Sequence, residues 1–211
     1  MKLLIKTLAI ITLVFIGILS LALIPSPQPD GPKPWEISMQ PNGDITVFDI
    51  HLGQDTYQDA QVRWRESGEV ALFTTEGEAT TAEVFFDRIN LSGLSAKIVA
   101  NLSVPEETLN EMVSRAHSNK LQPSGSRRIE PAFEDKALLL TAPIVAITYI
   151  ANYRPDHDVL LARFGEPNEI TGDPEDPQAE IWQYPESHLS IRLHPDDKPV
   201  FEYQALSTLS R

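Results

Sequence analysis

Eighteen residues without a charge, Thr7 to Ile24, follow Lys2 and Lys6 and stop at Pro25. As a helix rising ~1.5 Å per residue they span about 27 Å, close to the ~30 Å of a bilayer's hydrocarbon core. No further positive charge occurs until Lys33. By the positive-inside rule the two leading lysines stay in the cytoplasm and the rest of the chain lies outside it. Residues 1–24 therefore read as a membrane anchor in the inner membrane, or as an export signal, since Ser20-Leu-Ala22 offers small residues at a cleavage site after Ala22. Lipidation needs a cysteine, and the chain has none.

Residues 25–34, Pro25-Ser-Pro-Gln-Pro-Asp-Gly-Pro-Lys-Pro34, carry proline at nearly every second position and read as a stalk of polyproline II character. Residues 35–211 are then an extracytoplasmic, periplasmic domain. Its fourteen lysines and arginines face twenty-nine acids, a net charge of −15. A field of that sign repels polyphosphates, so nucleic acid is not an expected partner. The missing cysteines also remove disulfides, thiolate zinc sites and a cysteine nucleophile.

The expected fold class is α+β: a largely antiparallel sheet with short helices on one face. Strands are predicted over Glu36–Gln40 and Ile45–His51, joined at Pro41-Asn-Gly-Asp44 by a turn whose Asn-Gly pair suits type I′. Asp55 or Thr56 caps a helix to about Arg65, with Tyr57, Ala60, Gln61 and Trp64 on one side. Strands follow over Glu69–Thr74, Thr81–Asp87 and Leu94–Ser103. In the last, Leu94, Ala96, Ile98, Ala100 and Leu102 alternate with Ser95, Lys97, Asn101 and Ser103, so one face is core and the other wet. Ser103-Val-Pro-Glu106 matches a capping box for a helix ending near Asn119, with a stripe of Leu109, Met112, Val113 and Ala116. Lys120 to Pro131 reads as a polar loop.

The apolar run Ala137 to Ala151, interrupted at Pro143, is too short to span a bilayer and reads as two buried strands, Phe133–Thr141 and Ile144–Tyr153. Ile147 and Ile150 are expected core positions of the second. A helix from Pro155 or Asp156 to Phe164-Gly165 leads to a meander over Glu180–Tyr184, His188–His194 and Val200–Gln204. Residues 36–119 and 133–205 thus share a strand-helix-three-strand order, which suggests a duplicated unit.

Within residues 155–203, the helix bearing Asp158-Val-Leu-Leu161, its stop at Phe164-Gly-Glu-Pro167 and the aromatic strand Trp182-Gln-Tyr184 before a hairpin resemble the small domain of the SmpA/OmlA type, an accessory lipoprotein of outer-membrane assembly. Gly53-Gln-Asp-Thr56 and Asp59-Ala60 echo the same opening, and two such units in tandem are similar to β-lactamase inhibitor proteins, which grip an enzyme on a concave sheet. The resemblance implies a non-catalytic, protein-binding role in the cell envelope.

No catalytic elbow, phosphate loop, dinucleotide fingerprint or metalloprotease motif occurs, and nothing calls for a cofactor. His188 and His194 fall about 20 Å apart along one strand and cannot share an ion. Acids at Asp156 and Asp158 beside His157 suit a helix start. The loop Gly172-Asp-Pro-Glu-Asp-Pro177 carries two prolines that obstruct the wrap around calcium. Glu76 with Glu78 and Glu106 with Glu107 have turn and helix-start roles that suffice without an acid/base function. A membrane-tethered binding or envelope-assembly module is the leading expectation, with another envelope protein as partner. A secreted inhibitor or ligand carrier is the alternative, and an envelope hydrolase a more distant one. Candidate contact residues are Lys97 and Asn101 in the first unit and His188, Arg192 and His194 in the second, because they place cationic, titratable or polar groups on an acidic domain.

Overall fold

Between Ala146 and Ala151, partly exposed and buried side chains alternate along a strand that becomes the middle of a ten-stranded antiparallel sheet. The computed structural model describes residues 31–116 and 118–209. In chain order these form β1 (Ser38–Met39), β2 (Ile45–Val47), β3 (Ile50–His51), α1 (Tyr57–Trp64), β4 (Glu69–Thr74), β5 (Thr81–Leu91), β6 (Leu94–Leu102), α2 (Glu106–Arg115), β7 (Ser118–Leu121), β8 (Arg127–Glu130), α3 (Phe133–Leu140), β9 (Ile144–Ala151), α4 (His157–Phe164), β10 (Glu169–Gly172), β11 (Glu180–Tyr184), β12 (Leu189–Leu193), β13 (Val200–Gln204) and α5 (Leu206–Leu209). The large sheet runs β10-β11-β12-β13-β9-β6-β5-β4-β8-β7, and β1-β2-β3 make a small sheet of their own. The expected α+β class with a large antiparallel sheet and few short helices is what forms. The anchor reading lies outside the described residues. No helix among the described residues is long and apolar enough to cross a membrane.

One face of the large sheet is the core. Ala96, Ile98, Ala100 and Leu102 of β6, Ile147 and Tyr149 of β9, and Phe201 and Tyr203 of β13 are all buried there. The helix α1 covers it on one side, where Tyr57 and Trp64 meet Phe86 of β5 edge-on. On the other side α4 covers it through Phe164, whose ring lies 5.6 Å from that of Phe201. Thr56 starts α1 with a capping box: its hydroxyl accepts from Asp59 N while the Asp59 carboxylate accepts from Thr56 N at 2.9 Å. Such a cap stabilises a helix by about 1 kcal/mol. Pro34, expected in the stalk, is buried, and its carbonyl accepts from the Tyr203 hydroxyl at 2.8 Å. Trp35, expected to open the domain, lies under the Arg163 guanidinium at 4.6 Å.

Several expectations are corrected. The Pro41–Asp44 turn does join two strands, but only Gly43 takes a positive φ, and its N–H donates to Gln40 O as in a type I turn with a left-handed end. The pair with positive φ at both positions is Phe48-Asp49, between Val47 and its partner Ile50, so Ile45–His51 is two strands rather than one. Ser103 caps no helix. Its N–H donates to Pro143 O at 2.8 Å, which keeps it tied to the sheet, and α2 begins after Pro105 with no side-chain cap and ends at Arg115. The polar stretch Lys120–Pro131 contains a hairpin, β7–β8, at one end of the sheet, where Ile129 is the buried apolar residue. Phe133–Thr141 is the helix α3 instead of a strand. Asp135 and Leu139, four apart, are its buried positions, and Phe133 is 90% exposed. Glu169–Gly172 forms the unanticipated outer strand β10.

The two halves of the suggested repeat differ in element order, three strands (β4 to β6) following α1 and four (β10 to β13) following α4, and they differ in pairing as well. In the second half β9 pairs with that half's last strand, β13. In the first half β3 pairs with β2, and the neighbour of β6 on that side is β9. The two halves therefore meet as one sheet through β6 and β9.

Candidate functional site

Residues of β6, β9 and β13 that point away from the core all remain partly or fully exposed. Register places them in rows. One row runs Arg192, Val200, Ile150, Lys97 across β12, β13, β9 and β6. The next runs Ser190, Glu202, Thr148, Val99, Phe85, and a third runs Gln204, Ala146, Asn101, Glu83. Strands from both halves of the chain contribute to each. The face mixes aliphatic side chains with amides, hydroxyls and carboxylates.

A groove of about 1090 Å³ opens on this face. Its floor is low because Ala146 and Thr148 are small, and its walls rise at α5, at the turn before β5 and at Val104–Glu106 where α2 begins. Glu83, Glu106 and Glu202 line it, whereas no lysine, arginine or histidine among the described residues does. None of the three carboxylates has a cationic partner among the described residues. Glu83 is half-buried, and the Thr81 hydroxyl donates to it at 3.1 Å. Burial lifts its carboxyl above the usual range, against the smaller opposing effect of that hydrogen bond.

The sign of that shift gives a test. A carboxyl that holds its proton more tightly when folded makes the folded state less stable once it ionises, so the cost is absent below the unfolded value of ~4.3 and complete above the raised folded one. Glu83→Gln is therefore expected to melt higher than the parent at pH 7.5 and to lose that advantage at pH 4. Thermal melts at the two pH values check it, and a variant that melts lower at pH 7.5 contradicts an uncompensated charge.

Of the residues singled out from sequence, Asn101 lines the groove. Lys97 and Arg192 share a row on the same face, three strand spacings or about 14 Å apart. Both are already engaged. The Lys97 ammonium sits 3.0 Å from Asp87 and over the Phe85 ring. Arg192 clamps the loop before β11 through Asp173 and, at 2.9 Å, Asp176, and it holds the Asp173 carboxyl below the usual range. The two histidines lie just outside β12 rather than within it. His188 follows the 3-10 turn Pro185–Ser187 in a left-handed conformation, its ring Nδ1 3.2 Å from Gln204 O. His194 is 12% exposed and accepts at Nδ1 from the N–H groups of Asp196 and Asp197. These four residues hold the domain's own loops and strands in place.

A second crevice, of about 590 Å³, lies beside the start of α4 and is lined by His157, Glu180 and His194 among others. The His157 ring packs 5.2 Å from Trp182 and its Nε2 lies 3.5 Å from Glu180. Among the described residues no group of three or more potential ligands is placed to hold a metal ion.

Reading the sequence missed Glu83, Thr148, Glu202 and Gln204. Each stands at an alternate position of a strand that was otherwise located, so the face could be read one strand at a time. What was missing was which strands are neighbours. Comparison with models of known families, with curated proteins and with solved structures found no match.

Proposed function

We propose that this chain is a membrane-tethered extracytoplasmic module that binds another protein of the cell envelope and carries out no chemistry itself. Residues 7–24 hold it at the inner membrane and the proline-rich stretch spaces the domain from the bilayer, leaving the domain in the periplasm. The observation that carries the reading is the sheet face left open among the described residues, five strands wide from β12 to β5 in its mixed polar and aliphatic part, with a groove in its middle. Faces that combine aliphatic anchors with polar groups able to hydrogen-bond suit contact with a protein surface. A duplicated unit of the β-lactamase inhibitor kind would present such a face in the same way, and assembly of envelope proteins is a role to which a fixed tether is suited.

The test uses the full-length chain in intact cells, with a photo-crosslinking residue at Val99 or Ile150 on the open face and at Gln58 on the exposed side of α1. Protein adducts are expected from the first two positions and not from Gln58, and the parent chain is expected to stay with the inner membrane after a high-salt wash. Adducts from Gln58 alone, or none from any position, would sink the binding reading. A mature N-terminus at Leu23 in intact-mass measurement would replace the tether with secretion.

A further inference from the structure

We infer that the groove of the open face accepts an extended, basic segment of the partner protein, with two lysine or arginine side chains placed against Glu83 and Glu202. The inference rests on the protein-binding reading above and adds the chemistry of the occupant. Three features carry it.

The first is charge. All three charged side chains that line the groove among the described residues are carboxylates, and none is matched by a cation among those residues. Elsewhere on the surface some acids have cations, as Asp55 has Arg63, Glu69 has Arg128, Asp87 has Lys97 and Glu130 has Lys136, and others such as Glu66 and Glu107 have none among the described residues; what sets the groove apart is three carboxylates around one concavity with no cation between them. A half-buried Glu83 held only by a hydroxyl keeps acceptor capacity that a desolvating cation would use.

The second is spacing. Glu83 and Glu202 stand three strands apart and are offset by two residues, which is about 16 Å between backbones. In an extended chain, side chains on one side recur every second residue, and residues four apart are ~13 Å apart. Lysine or arginine stems cover the remainder, so a single segment with basic residues at positions i and i+4 reaches both carboxylates.

The third is what lies between them. Asn101 and Gln204 flank Ala146 in one row, with Thr148 beside it. Amide and hydroxyl groups over a small residue can both donate to and accept from a peptide backbone laid across the strands. A free polyamine has no carbonyls for them to meet, which favours a peptide.

The experiment keeps the full-length chain in intact membranes and places the photo-crosslinking residue at Thr148, with the captured peptide sequenced by mass spectrometry. The expected adduct carries lysine or arginine at two positions about four apart, and its yield falls about tenfold or more when Glu83→Gln and Glu202→Gln are combined, since two cations then lose their carboxylate partners. Thermal melts confirm that the double variant is folded. If it is not, Glu202→Lys alone at an exposed position must lower the yield. A captured peptide without basic residues, or a yield unchanged by these variants, overturns the basic occupant while adducts at Val99 or Ile150 leave the binding reading standing. If those two positions also give no adduct, both ideas fail together.

Discussion

Trp64→Ala is expected to cost about 3 to 5 kcal/mol, a large share of the ~5 to 15 kcal/mol that holds a domain of this kind folded. Trp64 is buried at the end of α1, and its ring meets Phe86 edge-on with centroids 5.0 Å apart. Its Nε1–H also donates to Phe48 O at 3.0 Å. Phe48 is an unlikely residue for its own backbone, since it and Asp49 both have positive φ in the two-residue turn between β2 and β3. A bulky side chain there costs about 1 to 2 kcal/mol. The turn persists because Phe48 is held on three sides: it stacks on Tyr149 at 5.1 Å, meets Tyr203 edge-on at 5.4 Å, and has its carbonyl satisfied by Trp64. Loss of the indole removes apolar contact and strands that carbonyl at once. Trp64→Phe helps separate the two effects, because it keeps a six-membered ring in place while deleting the donor and a smaller part of the packing, a change of about 1 to 3 kcal/mol for the stranded carbonyl. Denaturant melts of both variants check the order. Equal losses would mean that the hydrogen bond, and not the packing, ties α1 to the small sheet.

That turn marks the limit of what was legible in the sequence. Features set by neighbours along the chain could be read: the cap at Thr56, the strands Glu69–Thr74, Glu180–Tyr184 and Val200–Gln204, and the central position of β9. Features set by distant partners could not. The conformation of Phe48-Asp49 depends on Trp64, Tyr149 and Tyr203, and the sequence signal for a type I′ turn stood six residues earlier at Asn42-Gly43. The run of α3 is apolar enough to read as a strand, and its helical period shows once Asp135 is known to be buried against Arg115 at 2.7 Å. The outer strands β7, β8 and β10 carry almost no apolar alternation, because at the ends of the sheet few residues face a core.

The candidate site follows the same division. Alternation along β6 placed Lys97 and Asn101 on the wet side, and β12 did the same for Arg192, so the correct face was visible from single strands. Which of those residues are free to meet a partner depends on contacts across the fold. Asp87 engages Lys97 from within a bulge in β5 that no pattern announced, and the loop bearing Asp173 and Asp176 folds back onto Arg192. The unpaired groups of the face turned out to be acids, Glu83 and Glu202, on strands brought together by a crossover between the two halves.

Ile147→Asp is expected to abolish folding, whereas Ile150→Asp is expected to leave the domain folded. Both residues lie on β9, and the sequence assigned both to the core, but they are three apart and a strand turns successive side chains to opposite faces. Ile147 is fully buried between Ala100 of β6 and Tyr203 of β13, in the middle of the aromatic layer beneath α1 and α4. A carboxylate there finds no cation and no water, a cost of several kcal/mol on top of the lost aliphatic contact, which exhausts a stability of ~5 to 15 kcal/mol. Ile150 sits in the open row between Lys97 and Val200, where it is partly exposed. An aspartate in that place keeps its hydration and gains the Lys97 ammonium as a neighbour, so the loss is limited to part of one side chain's burial, about 1 kcal/mol. The two variants therefore differ in kind. Far-ultraviolet circular dichroism with a thermal melt distinguishes them, and the folded Ile150→Asp chain then reports on function, because a charge placed in the aliphatic part of the face should weaken partner capture without unfolding the domain. If Ile150→Asp unfolds as completely as Ile147→Asp, the face is covered in the native protein and the binding surface must be sought elsewhere.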